Sequence, residues 1–249
     1  MSNVASFFAS SVGRKIIMAV TGAGLGLFVV GHMIGNLQIF LSPEAINRYA
    51  RFLQSNPELL WPVRLVMLIL VGLHGWSAVM LSIENQRARP VGYHGNPAPL
   101  AASFASRTML VGGIVAAVFL VYHLLHYTVV VEGVNGARVS LRELKAAHDV
   151  YAMMIAGFSV WYVSLFYVVG VGLLCLHLSH GLAAMFQSLG WKNHVYGPLI
   201  DKAAKVIALA LFLGYVSIPV AVRCGHGQAH LRHAAETAAA TMAATGEVK

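Results

Sequence analysis

Five long, predominantly apolar runs govern what this chain can become. They lie at residues 16–41, 61–83, 108–131, 159–187 and 203–222. Each reaches the roughly 20 residues needed to cross about 30 Å of hydrocarbon as a helix. Charged residues make up only 10% of the chain and hydrophobic ones 58%. Soluble domains carry about 25% charged residues, so this chain lacks the polar surface of a water-soluble globule. The reading is an all-α integral membrane bundle of five transmembrane helices, residues 1–223, with a tail at 224–249. The first run is far longer than the roughly 15 apolar residues of a signal peptide and contains His32, so it is expected to stay as a span.

The net charge of +8 could point to nucleic acid. The basic residues are scattered between the apolar runs and form no stripe, which excludes that partner and favours lipid headgroups, cofactor acids or a partner protein. Cys175 and Cys224 form no disulfide framework and no C-x-x-C-H haem attachment.

The connections carry helix signals of their own. Ser42-Pro43-Glu44 combines a cap, a first-turn proline and an early acid, and Ile46, Tyr49, Phe52 and Leu53 then share one face, which predicts a short interfacial helix. Ser140-Leu141-Arg142-Glu143 is a capping box that opens a second amphipathic helix, expected to run towards the fourth span. Pro90, Pro97 and Pro99 make 85–107 a true break. The Ala-, His- and Gly-rich tail from Cys224 is expected to be disordered, with His226, His230 and His233 solvated rather than binding metal. Lys and Arg divide eight to one side and nine to the other, so charge leaves the topology unsigned.

The span interiors contain no Asp, Glu, Lys or Arg, yet four of the five contain histidine: His32, His74, His123 with His126, and His177 with His180. Ionisable groups at such depth are costly and generally functional. His32 lies 17 residues beyond Lys15 and His123 lies 16 beyond Arg107, which places both roughly 25 Å in from the same side. His74 and His177 each precede the polar residue closing their span, Glu84 and Gln187, by 10 residues, or roughly 15 Å from that side. Two level pairs follow, His32 with His123 and His74 with His177, about 10 Å apart in depth. His126 and His180 sit three residues beyond a proposed ligand, at poorer-matching depths of roughly 28 and 10 Å, and are assigned to propionates, quinone or carbonyls.

Imidazoles facing each other at one level, with no carboxylate near, suit bis-histidine ligation of haem iron, which closes the iron to oxygen and leaves electron transfer. Gly22, Gly24, Gly26, Gly31 and Gly35 in the first span would admit a flat macrocycle, as would Gly72 and Gly75, Gly112 and Gly113, and Gly170, Gly172 and Gly181 in the others. Close helix packing in lipid uses the same residues.

The runs Gly24-Leu25-Gly26-Leu27-Phe28-Val29-Val30-Gly31-His32-Met33-Ile34-Gly35-Asn36, Leu73-His74-Gly75, Val121-Tyr122-His123 and His177-Leu178-Ser179-His180-Gly181-Leu182, the last ending in Leu189-Gly190-Trp191, stand in order across about residues 12–222. Together they resemble the one-chain, two-haem cytochrome b anchor of succinate dehydrogenases and fumarate reductases. That resemblance implies two haem b groups between the first four helices, with His74 and His177 as axial ligands of one, nearer the iron–sulfur subunit. His32 and His123 would be the ligands of the other. It implies a multi-pass protein of the bacterial cytoplasmic membrane, amino terminus cytoplasmic, docked to flavoprotein and iron–sulfur subunits and serving a quinone, commonly menaquinone. The succinate site would lie on the flavoprotein and not on this chain. Lys15, Arg107 and Lys192 become candidate propionate partners. Glu58, with Glu44 behind it, becomes the candidate quinone-site acid. Some such fumarate reductases carry protons through a glutamate two residues before the fourth ligand. Cys175 stands there in this chain, so that path is expected to be missing. The alternatives are the cytochrome b of another quinone-linked dehydrogenase, such as a hydrogenase or formate dehydrogenase, or a histidine-based transporter.

Overall fold

The computed structural model describes residues 3–88 and 109–245. Most of the 85–107 connection, with its prolines and Arg107, lies outside the described residues, which are predominantly helical and contain no strand. In chain order the helices are α1 (Asn3–Ala9), α2 (Ser11–Leu37, prolonged by a tighter turn Gln38–Phe40), α3 (Pro43–Ser55), α4 (Pro57–Arg87) and α5 (Met109–His123, continued by the π-helical turn Leu124–Val129). They continue with α6 (Glu132–Asn135), α7 (Leu141–Ala146), α8 (Val150–Ser159), α9 (Trp161–Ser188), α10 (Gly197–Arg223) and α11 (Gln228–Thr245).

Five of these elements, Ser11–Phe40, Pro57–Arg87, Met109–Val129, Trp161–Ser188 and Gly197–Arg223, are long and apolar enough to cross a membrane. The shortest has 21 residues, which at 1.5 Å per residue spans ~31 Å. The helices Pro57–Arg87 and Gly197–Arg223 extend past both ends of their apolar runs. Pro57 opens α4 four residues before the run begins, where a missing amide hydrogen costs nothing.

The chain divides into two compact units. The first comprises residues 1–32, 58–117 and 172–212. Arg14 is buried at its edge, where it ion-pairs with Glu84 and donates to the Phe8 and Ala9 carbonyls at 3.1 and 2.7 Å. Those are end carbonyls of α1 that have no helical partner of their own, so the guanidinium caps the short helix. Gly24 meets Leu70, Gly26 meets Leu182 and Gly172 meets Phe212, the close helix approaches that small residues permit.

The second unit comprises residues 33–57, 118–171 and 213–249. Its centre is α8, in which every residue from Tyr151 to Phe158 is buried. A helix apolar on all sides and only ten residues long cannot span a membrane, so it is stable only inside protein. Ile39, Ile46, Val163, Tyr167, Ile218 and Val222 pack one side of it, and Val130, Leu141 and Leu144 the other. Asp149 caps its start, accepting from the Ala152 amide at 2.9 Å. Ser159 near its end is held by Arg223, which donates to its carbonyl at 2.6 Å, and by Gln228, which donates to its hydroxyl at 2.8 Å.

Ser42 caps α3 as expected, accepting from the Ala45 amide at 3.1 Å; on its apolar face Ile46 is buried, Tyr49 lies against Gly35 and Phe52 is exposed. Ser140 accepts from the Glu143 amide as a capping box requires, yet the helix it opens stops at Ala146. His148 adopts a left-handed φ of +57° and Val160 an extended one, so α7, α8 and α9 are three separate helices. Finally, the tail expected to be disordered is helical over Gln228–Thr245. Gly225 and Gly227, at φ +102° and +74°, turn the chain between α10 and α11, and Leu231 then packs on the α8 core. Alanine favours helix wherever a few anchors offset the ordering cost.

Candidate functional site

In the first unit α4 and α9 bring His74 and His177 together edge to face, with ring centres 6.3 Å apart and planes at 75°. The His74 Nδ1 lies 3.2 Å from the Met18 carbonyl oxygen and 3.2 Å from the Thr21 hydroxyl oxygen. A carbonyl can only accept, and the Thr21 hydroxyl spends its own hydrogen on the Ile17 carbonyl at 2.6 Å. Nδ1 therefore carries the imidazole proton and donates it to α2. Nε2 is left with a lone pair, the tautomer a metal-ligating histidine needs. The Nδ1 of His177 is buried and finds no hydrogen-bond partner among the described residues.

Small residues surround both rings. A Cβ at Gly22 would lie 3.1 Å from His74 Cε1, and one at Gly113 would lie 3.6 Å from His177 Cε1. By contrast Gly31, Gly72, Gly75 and Gly181, equally plausible as lining residues by sequence, have nothing within 4 Å of such a Cβ. Two metal–imidazole bonds of about 2 Å, with roughly 1.1 Å from each nitrogen to its ring centre, would put the centres about 6 Å apart. The separation, the tautomer of His74 and the glycine cradle fit an iron held between two imidazoles.

His32 belongs to the first unit and stacks on Phe28, ring centres 5.5 Å apart and planes within 10°. His123 belongs to the second unit, beside Phe119 at 6.3 Å. Its Nδ1 is 3.2 Å from the Tyr167 hydroxyl. The same hydroxyl is 3.0 Å from Nδ1 of His126, which is wholly buried in the π-helical turn. His126 Nε2 and the Tyr127 hydroxyl are buried with no partner among the described residues, and both converge on Gly157 of α8.

The remaining candidates are dispersed. Lys15 is exposed near the start of α2. Lys192 ion-pairs with Asp201 at 2.6 Å, so its charge is already engaged. Arg107 lies outside the described residues. Glu58 is exposed in the first turn of α4, where the helix dipole favours an acid, and Glu44 holds the same position in α3. Cys175 is buried two residues before His177. Two of the tail histidines, expected to be solvated, have protein partners instead. His226 donates to the Ile39 carbonyl at 3.2 Å, and His230 pairs with Asp149 at 2.9 Å.

Asp149 joins three elements. Besides the Ala152 amide and His230 it accepts from Asn47 Nδ2 at 2.9 Å. Burial pushes its carboxyl up, but the Ala152 amide, Asn47 and His230 together outweigh that and hold it below the ordinary carboxylate range.

Sequence reading passed over Thr21, Tyr127, Gly157 and Tyr167. Thr21 and Tyr167 did carry a signal, as polar groups inside apolar runs that also hold a proposed ligand. Nothing in sequence marks the Met18 carbonyl, because a backbone group has no residue type. The chain matches no family model, no curated protein and no solved structure.

Proposed function

We propose that this chain is the membrane anchor and electron-carrying cytochrome b subunit of a succinate:quinone oxidoreductase, binding two haem b groups and working between an iron–sulfur subunit and a membrane quinone. The observation that carries the reading is the facing of His74 and His177 at 6.3 Å inside apolar helices, with the His74 proton committed to Met18 and Thr21. When bound, a bis-imidazole haem supplies one-electron transfer with no open coordination position.

In this reading the chain's own residues do three things. Thr21 and the Met18 carbonyl hold the His74 ring and its tautomer. Gly22, Gly112 and Gly113 leave room beside the two rings. The apolar span surfaces exclude water, which protects a buried redox centre and helps tune its potential. His32 and His123 are assigned to the second haem on their depth in the sequence and on the resemblance. Glu58 is assigned to proton exchange with the quinone. Its position at the exposed start of α4 suits an acid that must reach water. The amino terminus is assigned to the cytoplasmic side and the flavoprotein and iron–sulfur subunits to that face.

The test is the visible spectrum of the purified chain with quantitation of iron porphyrin. Two per chain is expected, and a colourless protein overturns the reading. Glu58→Gln is expected to lower quinone turnover severalfold in the assembled complex with both haems retained; unchanged turnover removes Glu58 from the site.

A further inference from the structure

Small side chains on one span leave space that something must fill. In the first unit α9 and α10 enclose a groove of about 300 Å³. Leu182 and Phe186 form one wall, and Leu199, Ala203, Ala204 and Ile207 form the other. The two alanines keep it open, since nothing beyond Cβ extends from α10 at those positions. Every residue along it is apolar, so water finds no hydrogen-bond partner there. Left empty, the walls would forfeit their dispersion contacts. A cofactor headgroup needs a few placed polar groups, and these walls offer none. All of the groove lies within the spans Trp161–Ser188 and Gly197–Arg223, where the surrounding medium is hydrocarbon.

One end of the groove meets the headgroup level. The Phe186 carbonyl accepts from the Trp191 amide at 2.9 Å and the Lys192 amide at 3.2 Å, which fixes the turn after α9. The Trp191 ring then lies 6.1 Å from that of Phe186. Trp191 and Tyr196 are 63% and 59% exposed, the aromatic placement found where hydrocarbon gives way to headgroups. Charge at this end has one sign. Lys192 is neutralised by Asp201, whereas Lys202 and Lys205 are exposed and make no ion pair among the described residues. Lys202 follows Leu199 by three residues, at the rim of the lining face, and Lys205 follows Lys202 by three more. Their stems can lie along apolar surface while the ammonium groups reach the interface. We propose that this groove holds one acyl chain of an anionic phospholipid, with its phosphate headgroup drawn to Lys202 and Lys205. The proposal rests on the spans and their charges, and not on the cytochrome reading. A neutral lipid could fill the groove but would leave both lysines unanswered.

The test uses the purified full chain in mild detergent, titrated with phosphatidylglycerol or with phosphatidylcholine carrying identical acyl chains. Native mass spectrometry reads the most tightly retained lipid. One phosphatidylglycerol per chain is expected, bound about tenfold more tightly than phosphatidylcholine. Lys202→Gln combined with Lys205→Gln should abolish that preference while one lipid of either kind is still retained. Ala203 is exposed, so Ala203→Phe can fill the groove, and it should lose the retained lipid of both kinds. Equal binding of the two lipids by the parent overturns the proposal. So does a preference that survives the lysine double variant, or a lipid kept by Ala203→Phe. If Ala203→Phe does not accumulate, phosphatidylglycerol with a photoreactive group in its acyl chain decides on the parent. Crosslinks within 182–186 and 199–207 support the proposal, and crosslinks found only elsewhere overturn it. A dimer of the parent that excludes the lipid and is lost in Ala203→Phe would put a second copy in the groove, which also overturns it.

Discussion

In the first unit a histidine is oriented by a backbone carbonyl, whose role cannot change. The Met18 carbonyl always accepts, Thr21 gives its hydrogen to Ile17, and His74 is left with one tautomer and an open Nε2. In the second unit orientation passes through a hydroxyl able to point either way, with His123 at one end and the buried His126 at the other. The difference teaches that residue type and depth choose candidate ligands, while the partner on the outer nitrogen decides which are ready to bind. A carbonyl enforces one proton position; a hydroxyl shared between two rings is compatible with either.

The comparison is broken most directly at the first site. His74→Ala and His177→Ala are each expected to abolish the same haem signal and spare the other, by difference spectra of the two variants. If they removed different signals, the facing pair would not be a pair. Next in size is the second unit's packing. A Cβ at Gly157 would fall 2.5 Å from the Tyr127 hydroxyl and 3.1 Å from His126 Nε2. Gly157→Val is therefore expected to destabilise the protein by ~1–3 kcal/mol, visible in detergent melts.

A somewhat smaller effect is expected at the joint between α3, α8 and α11. Asp149→Ala removes a helix cap and the partners of Asn47 and His230, for a loss of about 2 kcal/mol and earlier proteolysis of α11. The same joint should respond to acid. A carboxyl held below its ordinary pKa contributes stability at pH values above that ordinary value, and the contribution is lost as pH falls through the lowered one. Asn47 and Glu44 face the joint from α3 and His230 from α11. Protease release of α11 should thus rise on acidification in the parent and be flatter in Asp149→Asn. The smallest change expected is Thr21→Val, since the Met18 carbonyl still holds the His74 proton. A loss of ~0.5–1 kcal/mol is expected in detergent melts.

Much of the architecture was legible along the chain, because lipid imposes a length and an apolarity on every span that are visible residue by residue. The five spans, the caps at Ser42 and Ser140 and the exclusion of charge from the span interiors all follow from local pattern. The burial of α8 was not legible, since an apolar ten-residue helix joined to a longer apolar run reads as its continuation. The break at His148 depends on a backbone conformation that histidine seldom adopts. Nor was the helical tail, whose anchors to Ile39, Asp149 and Ser159 lie 69 to 187 residues away.

By itself the sequence determined a five-span helical chain with histidines at two depths and no acid beside them, because hydrophobicity and helical rise act over short stretches. Only the tertiary structure decided that His74 faces His177, that its proton points to Met18, and that Tyr167 joins His123 to His126. Each of those depends on directional hydrogen bonds and ring contacts between segments distant in the chain, and a linear pattern holds no record of direction across helices.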